Sequence, residues 1–280
     1  MADRSVRARL RKDKLFRYVI VVPGVLVILP FFIILYHVLV EGVRSINWAF
    51  LFQIPKPVGE TGGGILNGIL GTLEVILIAT VFAVPIGIGG GIYMSERGNH
   101  RLASLAKTAV NILQGVPSIV IGIVIYAWIV VPFRSFSALS GGIALAIMML
   151  PVIVKSAEET INLVPSTLKE ASLALGAPYY KTVFRVILPA GLSGILSGVM
   201  LAVARVAGET APLLFTAFGN PYLNFDPLRP TASIPLIIYD YAKSPYQDWI
   251  HKAWGASLIL ILMVLALNLA VRLRPNRNKL

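Results

Sequence analysis

The chain has 280 residues, 56% of them hydrophobic and 14% charged, with a mean hydropathy of +0.78, more apolar than the surface of a water-soluble domain allows. The net charge of +12 would suggest nucleic acid for a soluble protein; here anionic inner-leaflet lipid is the expected partner, and nucleic acid is not. With no cysteine, disulfides and thiolate metal sites are excluded.

In chain order, a basic segment over 1–17 precedes the first long apolar run. A hydrocarbon core of roughly 30 Å needs about 20 apolar residues in helix. Six stretches meet or approach this, at 18–40, 65–94, 108–132, 139–154, 190–215 and 254–271. The runs are continuous, not alternating, so the expected fold class is all-α integral membrane, with no barrel. The transmembrane domain is expected over 18–271 and a basic tail over 272–280. The basic start followed by an apolar run resembles a signal peptide, but the run is too long and His37-Val38-Leu39-Val40-Glu41 offers no small-residue cleavage site, so a retained anchor is expected. The fourth stretch falls short of a span unless its helix runs on past Lys155, whose long side chain would snorkel toward water.

Basic residues fix the orientation. Counted over 1–17, 97–107, 155–185 and 272–279, eighteen of the 25 Lys and Arg fall on one side. Six fall on the other (Arg44, Lys56, Arg134, Arg229, Lys243 and Lys252), and Arg205 lies within a span. An excess of basic residues marks the cytoplasmic side, so both termini are expected there, in a multi-pass protein of a bacterial cell membrane. Glycines cluster at Gly62-Gly63-Gly64 and at Gly87, Gly89, Gly90 and Gly91, where small residues let membrane helices approach. No Gly-Lys pair occurs, so a nucleotide loop is absent and no cofactor is expected in this chain. Paired carboxylates, a nucleophile elbow and a His metal motif are absent too, so an enzyme is not expected.

Two connections are long, 155–189 on the inside and 216–253 on the outside. The outer one holds turn formers and encloses 234–241, expected as a short interfacial helix; docking a partner and plugging the outer mouth are both open roles. In the inner one Thr167 and Glu170 read as a capping box, Gly176 as the left-handed residue ending a helix, and Pro178 as the start of the next, which reaches Pro189. Leu168, Ala171 and Leu175 then share one face as an apolar knob, which either docks a partner or packs on its own protein.

Arg205 stands about 24 Å beyond Pro189 at about 1.5 Å per residue, past mid-membrane. Glu209 follows at i+4, within reach on a continuous helix. The pair either neutralises itself and locks the helix to its neighbours, or presents a guanidinium fork to an anion. Glu74 lies at a similar level, either completing a charged triplet or solvated at the interface. Gln114, Ser118 and Thr210 either donate hydrogen bonds along a path or glue helices together.

Glu170-Ala171, Gly176, Ile187 and Pro189 resemble the E-A-A…G…I-x-L-P loop of ABC importer permeases, with Ser172 standing where the third letter is usually alanine. Gln114-Gly115-Val116-Pro117-Ser118, Leu150-Pro151 with Glu158-Glu159, and Ala204 to Leu214 with its Gly208-Glu209-Thr210-Ala211-Pro212 core resemble the A-type permeases of phosphate-specific transport systems. The resemblance covers about 68–268. It implies a type I importer fold and assigns Glu170, Ala171, Ser172, Leu175, Gly176, Ile187 and Pro189 to a coupling loop seated in an ATP-hydrolysing subunit. It further implies a dimer of ATP-binding subunits holding ATP and Mg, a C-type permease partner and an external phosphate-binding protein. Arg205, Glu209, Glu74, Thr210, Gln114 and Ser118 then become the substrate path. Import of another oxyanion (sulfate, molybdate or a phosphonate) and a non-transporting scaffold or sensor are the rivals.

Overall fold

The structure, a computed structural model, describes residues 2–60, 62–98 and 100–272, with side chains for all of these except 2–11, 14, 15 and 270–272. The side chains of Arg4, Arg7, Arg9, Arg11 and Lys14, and the basic tail 272–280 apart from the backbone of Arg272, therefore lie outside the described residues.

The helices run in order as α1 (Ala2–Ser45), α2 (Trp48–Phe52), α3 (Leu66–Glu96), α4 (Arg101–Gly115) and α5 (Ser118–Ile125), the last continued through a π-helical turn, Tyr126–Val130, into α6 (Val131–Phe133). Then come α7 (Ala138–Asn162), α8 (Ser166–Ala174), α9 (Tyr179–Thr182), a second π-helical turn at Val183–Ile187, α10 (Leu188–Ala207), α11 (Ala211–Thr216), α12 (Ile234–Ala242) and α13 (Gln247–Arg272). Five of these stretches are long and apolar enough to cross a membrane, or six when one bent pair counts as a single span. Among the described residues no strand forms beyond one bridge between Phe218 and Thr231.

α7 is the centre of the bundle, flanked by α3 and α10. Glycine decides how close its neighbours come: Gly91 of α3 lies against Ala157 and the Val154 carbonyl of α7, where an added Cβ would approach that oxygen to 2.7 Å. On the other side Gly194 and Gly198 of α10 face Thr160 and Ser156 of α7, and the Ser156 hydroxyl donates to the Gly194 carbonyl at 3.3 Å. Lipid offers no hydrophobic drive for helix pairing, so this close backbone approach supplies the packing. Around it Val75, Leu145, Met149, Val206 and Leu213 form the main core.

Four expectations change, and the run past Lys155 that the fourth stretch requires is met. The third span is two helices, Arg101–Gly115 and Ser118–Phe133, bent by 106°; Val116 is extended at φ −73, ψ 126, as the residue before Pro117 must be. The fourth helix does run past Lys155, ending at Asn162, which shortens the inner connection. Helix Tyr179–Ala207 continues through Pro189, because the π-helical turn Val183–Ile187 shifts the ladder where proline has no N–H to give. The fifth span instead breaks at Gly208. Finally, 234–241 is helical but not interfacial: Ile234, Leu236, Ile237 and Tyr241 are buried, in a second cluster with Phe50, Ile65, Ala253 and Ala256.

The outer connection caps the bundle. Backbone N–H groups of Ser137, Ala138 and Leu139, at the start of α7, donate to the carbonyls of Thr216, Arg229 and Pro227 at 3.0, 3.0 and 2.8 Å, satisfying donors that a helix start leaves open. By contrast α1 is exposed over most of its apolar stretch, Val38 being buried, and meets α13 toward its C-terminal end, with Gly42 against Leu258.

Candidate translocation path and coupling surface

Arg205 lies in the last turn of α10, three residues before the break at Gly208. It is exposed, on the rim of an arc that also carries exposed Ser193, Ser197 and Leu201, while Gly198, Ala202 and Val206 are buried. Glu209 sits in the break, half-buried, its N–H bonded to the Val206 carbonyl at 3.1 Å. Because the helix stops at Ala207, the i+4 geometry expected for Arg205 and Glu209 is lost. Among the described residues neither side chain makes an ion pair or side-chain hydrogen bond within this chain. The structure shows neither that pair nor the charged triplet, since Glu74 turns to Thr231.

Glu74 accepts from the Thr231 hydroxyl at 3.3 Å, while its other oxygen is buried without a partner. Gln114, at the end of α4, is exposed and accepts from Lys155 Nζ at 2.8 Å. Ser118 opens α5 and is half-buried. Thr210, before α11, is half-buried, its carbonyl taking the Leu214 N–H at 3.0 Å. The structure thus joins Gln114 to Lys155 and Glu74 to Thr231, and leaves Arg205, Glu209, Ser118 and Thr210 without side-chain bonds to one another. Lys155, which the structure places on Gln114, is not among the path residues singled out from the sequence. The rule that singled out Arg205, a cation inside an apolar run, marks it equally. Thr231 carried no local signal, being 157 residues from Glu74.

α8 ends as the residue types dictate. Gly176 has φ +77, its N–H bonds the Leu173 carbonyl at 2.9 Å, and the Ala177 N–H bonds Ser172 at 3.2 Å; this is the paired closure that a left-handed glycine permits. The N-terminal expectation fails: the cap position is Pro165, with no side-chain cap bond, so Thr167 and Glu170 form no capping box. Leu168, Ala171 and Leu175 are exposed, Leu175 at 89%, and Glu170 and Pro189 are exposed too. A Cβ built on Gly176 meets nothing within 4 Å. The knob is uncovered. Ser172 has a use of its own: its hydroxyl shares a hydrogen bond of 2.9 Å with buried Thr182, tying α8 to the helix that follows. Ile187 is buried with Ala157, Ile161, Val183 and Ile195, anchoring that helix to α7.

An open outer cleft of about 560 Å³ is lined by the 55–58 loop, Asn67, Phe218, Tyr222, Leu236, Tyr241 and Trp249. It faces away from the coupling surface, at the opposite end of α3.

Residues 87–273 match the family of binding-protein-dependent transport system inner membrane components. The chain is 40% identical over 240 residues to the phosphate transport system permease protein PstA of Yersinia pestis, covering 85% of this chain and 81% of that protein. It is 36% identical over 266 residues to the probable phosphate transport system permease protein PstA of Methanocaldococcus jannaschii, covering 94% of each. An inward-facing MetNI methionine ABC transporter superposes with a TM-score of 0.62 at 21% identity, over 74% of this chain and 92% of that one, a likeness of fold. The exposed knob, the broken spans and these similarities agree: the chain belongs to the binding-protein-dependent transport system inner membrane components, the membrane-spanning permeases of ABC importers.

Proposed function

We propose that this chain is the permease subunit of an ABC importer that moves inorganic phosphate into the cell, an A-type subunit working beside a C-type permease. ATP and Mg are held by a pair of ATP-binding subunits on the cytoplasmic side, where both termini lie, and phosphate arrives on an external binding protein. The similarity to phosphate permeases supports the substrate, and the basic-residue asymmetry supports the orientation.

One observation carries the path assignment: Arg205 is exposed near the outer end of an apolar helix and has no partner in its own chain. A guanidinium facing hydrocarbon costs about 2.5 to 3.5 kcal/mol at mid-bilayer. Facing a second permease across a water-filled seam removes that cost. There the planar fork matches two phosphate oxygens, and Glu209, in the break that follows and also without a side-chain partner, adds a second polar group to the same seam. Lys155 with Gln114 offers a second cation toward the inside, so an anion leaving Arg205 meets another donor. Binding at each station must be weak for release to follow.

Coupling follows from the knob. Leu168, Ala171 and Leu175 are apolar surface that the ATP-binding subunit covers, and the left-handed turn at Gly176 directs the chain back into the membrane helix. When ATP draws those subunits together, the hairpin moves and the helices open inward. The test is ATP-dependent uptake of labelled phosphate by proteoliposomes holding this chain with its partner subunits. Phosphate should accumulate, and a large excess of sulfate should leave the rate unchanged; competition by sulfate would reassign the substrate, and no uptake would favour the scaffold reading.

A further inference from the structure

Glu96 is the last residue of α3, and its carboxylate is the meeting point of three elements. It forms an ion pair with Lys169 of α8 and accepts from the Tyr179 hydroxyl at 2.5 Å. Lys169 also lies over the Tyr179 ring, 5.4 Å from its centroid. Only 11% of the Glu96 side chain is exposed, against 33% for Lys169, so the pair is shielded from the screening that weakens surface ion pairs. Next to it Ser95 donates to Asn162 at the end of α7 at 2.5 Å. The end of α3 therefore grips both the coupling helix and the central helix.

The outer end of the same helix is strapped to the outer connection. Asn67 donates to the Asn220 carbonyl at 2.7 Å, Thr72 accepts from the Ile234 N–H at 2.8 Å, and Glu74 accepts from Thr231 at 3.3 Å. This seam is polar and incompletely satisfied: Asn67 Oδ1, Glu74 Oε1 and Ser233 Oγ are buried without partners among the described residues. Unmet polar atoms make such a seam less costly to part than a packed apolar one. From Asn67 to Glu96 the helix runs unbroken, about 44 Å at about 1.5 Å per residue.

We propose that Glu96 is the positioning residue that fixes the coupling helix to the inner end of α3, so that a shift of the outer connection, made when the loaded binding protein docks, reaches the ATP-binding subunits through this one helix. The inference rests on the coupling role given above to the 166–178 hairpin. Glu96 touches neither phosphate nor ATP. It acts by holding Lys169 and Tyr179, and its loss leaves the hairpin docked but slack.

The experiment uses the complete transporter in proteoliposomes, reading ATP hydrolysis with and without phosphate-loaded binding protein, together with a disulfide cross-link from Glu170→Cys to the ATP-binding subunit. Glu96→Gln should keep the cross-link and basal hydrolysis while stimulation by the binding protein falls at least about fivefold, the loss expected when a charge-assisted bond is removed. Tyr179→Phe should lose less, in the same direction. Exchanging the charges, with Glu96→Lys and Lys169→Glu together, should restore at least about half of the stimulation, the coupling expected if the pair itself does the holding. Full stimulation in Glu96→Gln, or no recovery in the exchange, overturns the proposal. If Glu96→Gln does not assemble, Tyr179→Phe decides: reduced stimulation with the cross-link intact upholds it, and unchanged stimulation overturns it. Absence of the cross-link in the otherwise unaltered chain overturns the coupling reading itself, an outcome distinct from the others.

Discussion

The inner end of this permease and the outer end of α10 treat charge in opposite ways. At the inner end the shielded carboxylates are paired within the chain: Glu158 with Lys107 at 2.6 Å, and Glu96 with Lys169 and Tyr179. At the outer end of α10, Arg205 and Glu209 have no side-chain partner in the chain. Charges satisfied at home hold a scaffold in one arrangement, whereas a charge left open at membrane depth calls for a ligand or another subunit. The same contrast separates apolar surfaces. The glycine-lined faces of α3, α7 and α10 are consumed internally, while the knob at Leu175 and the length of α1 are not.

The comparison breaks most sharply at Arg205. Arg205→Ala should cut phosphate uptake by roughly 10- to 100-fold, from about 1.5 to 3 kcal/mol of charge-assisted bonding, while the complex still copurifies; Arg205→Lys should fall between, keeping the charge without the fork. Uptake close to that of the unaltered chain would place the open charge outside the path.

Next in size is packing. Gly91→Val sets a side chain against the Val154 carbonyl and Ala157, and overpacking of this kind costs about 1 to 3 kcal/mol. It should lower the Tm of the purified permease in detergent, and an unchanged Tm would show that α3 and α7 are not held by close approach at that level. Gly176→Val differs, because its new atoms meet nothing in this chain. The left-handed backbone costs about 1 to 2 kcal/mol, so binding-protein-stimulated ATP hydrolysis should fall about tenfold while uncoupled basal hydrolysis persists. Smallest is Ser172→Ala, which leaves buried Thr182 without its hydroxyl partner. A loss of about 0.5 to 1.5 kcal/mol should appear as a modest drop in coupled uptake, and no drop would make Ser172 a neutral stand-in for alanine.

Much of this architecture is legible in the residues because lipid imposes a strict rule: helices must be long, apolar and internally bonded. The left-handed turn at Gly176 follows from local chemistry alone. What remains has two physical sources. Real helices break where ideal ones would run on: Gly115 and Pro117 bend the third span, and Gly208 ends α10 before the geometry that would join Arg205 to Glu209. Pro189 erred the other way, since a π-helical turn absorbed it. Partners distant in sequence made up the rest. Thr231 meets Glu74, and Lys169 meets Glu96 from 73 residues away; no spacing rule within one segment reports such pairs.

The absence of cysteine in the chain allows the central claim, that the open face of α10 borders a water-filled path, to be tested directly. Leu201→Cys places one thiol on the arc beside Arg205 while leaving the guanidinium in place. In the assembled transporter a membrane-impermeant thiol reagent should modify this chain, at a rate that changes when ATP and phosphate-loaded binding protein are added. Modification only by a lipid-soluble reagent, at a rate indifferent to ATP and phosphate, would mean that this face looks into lipid and that Arg205 does not meet the anion.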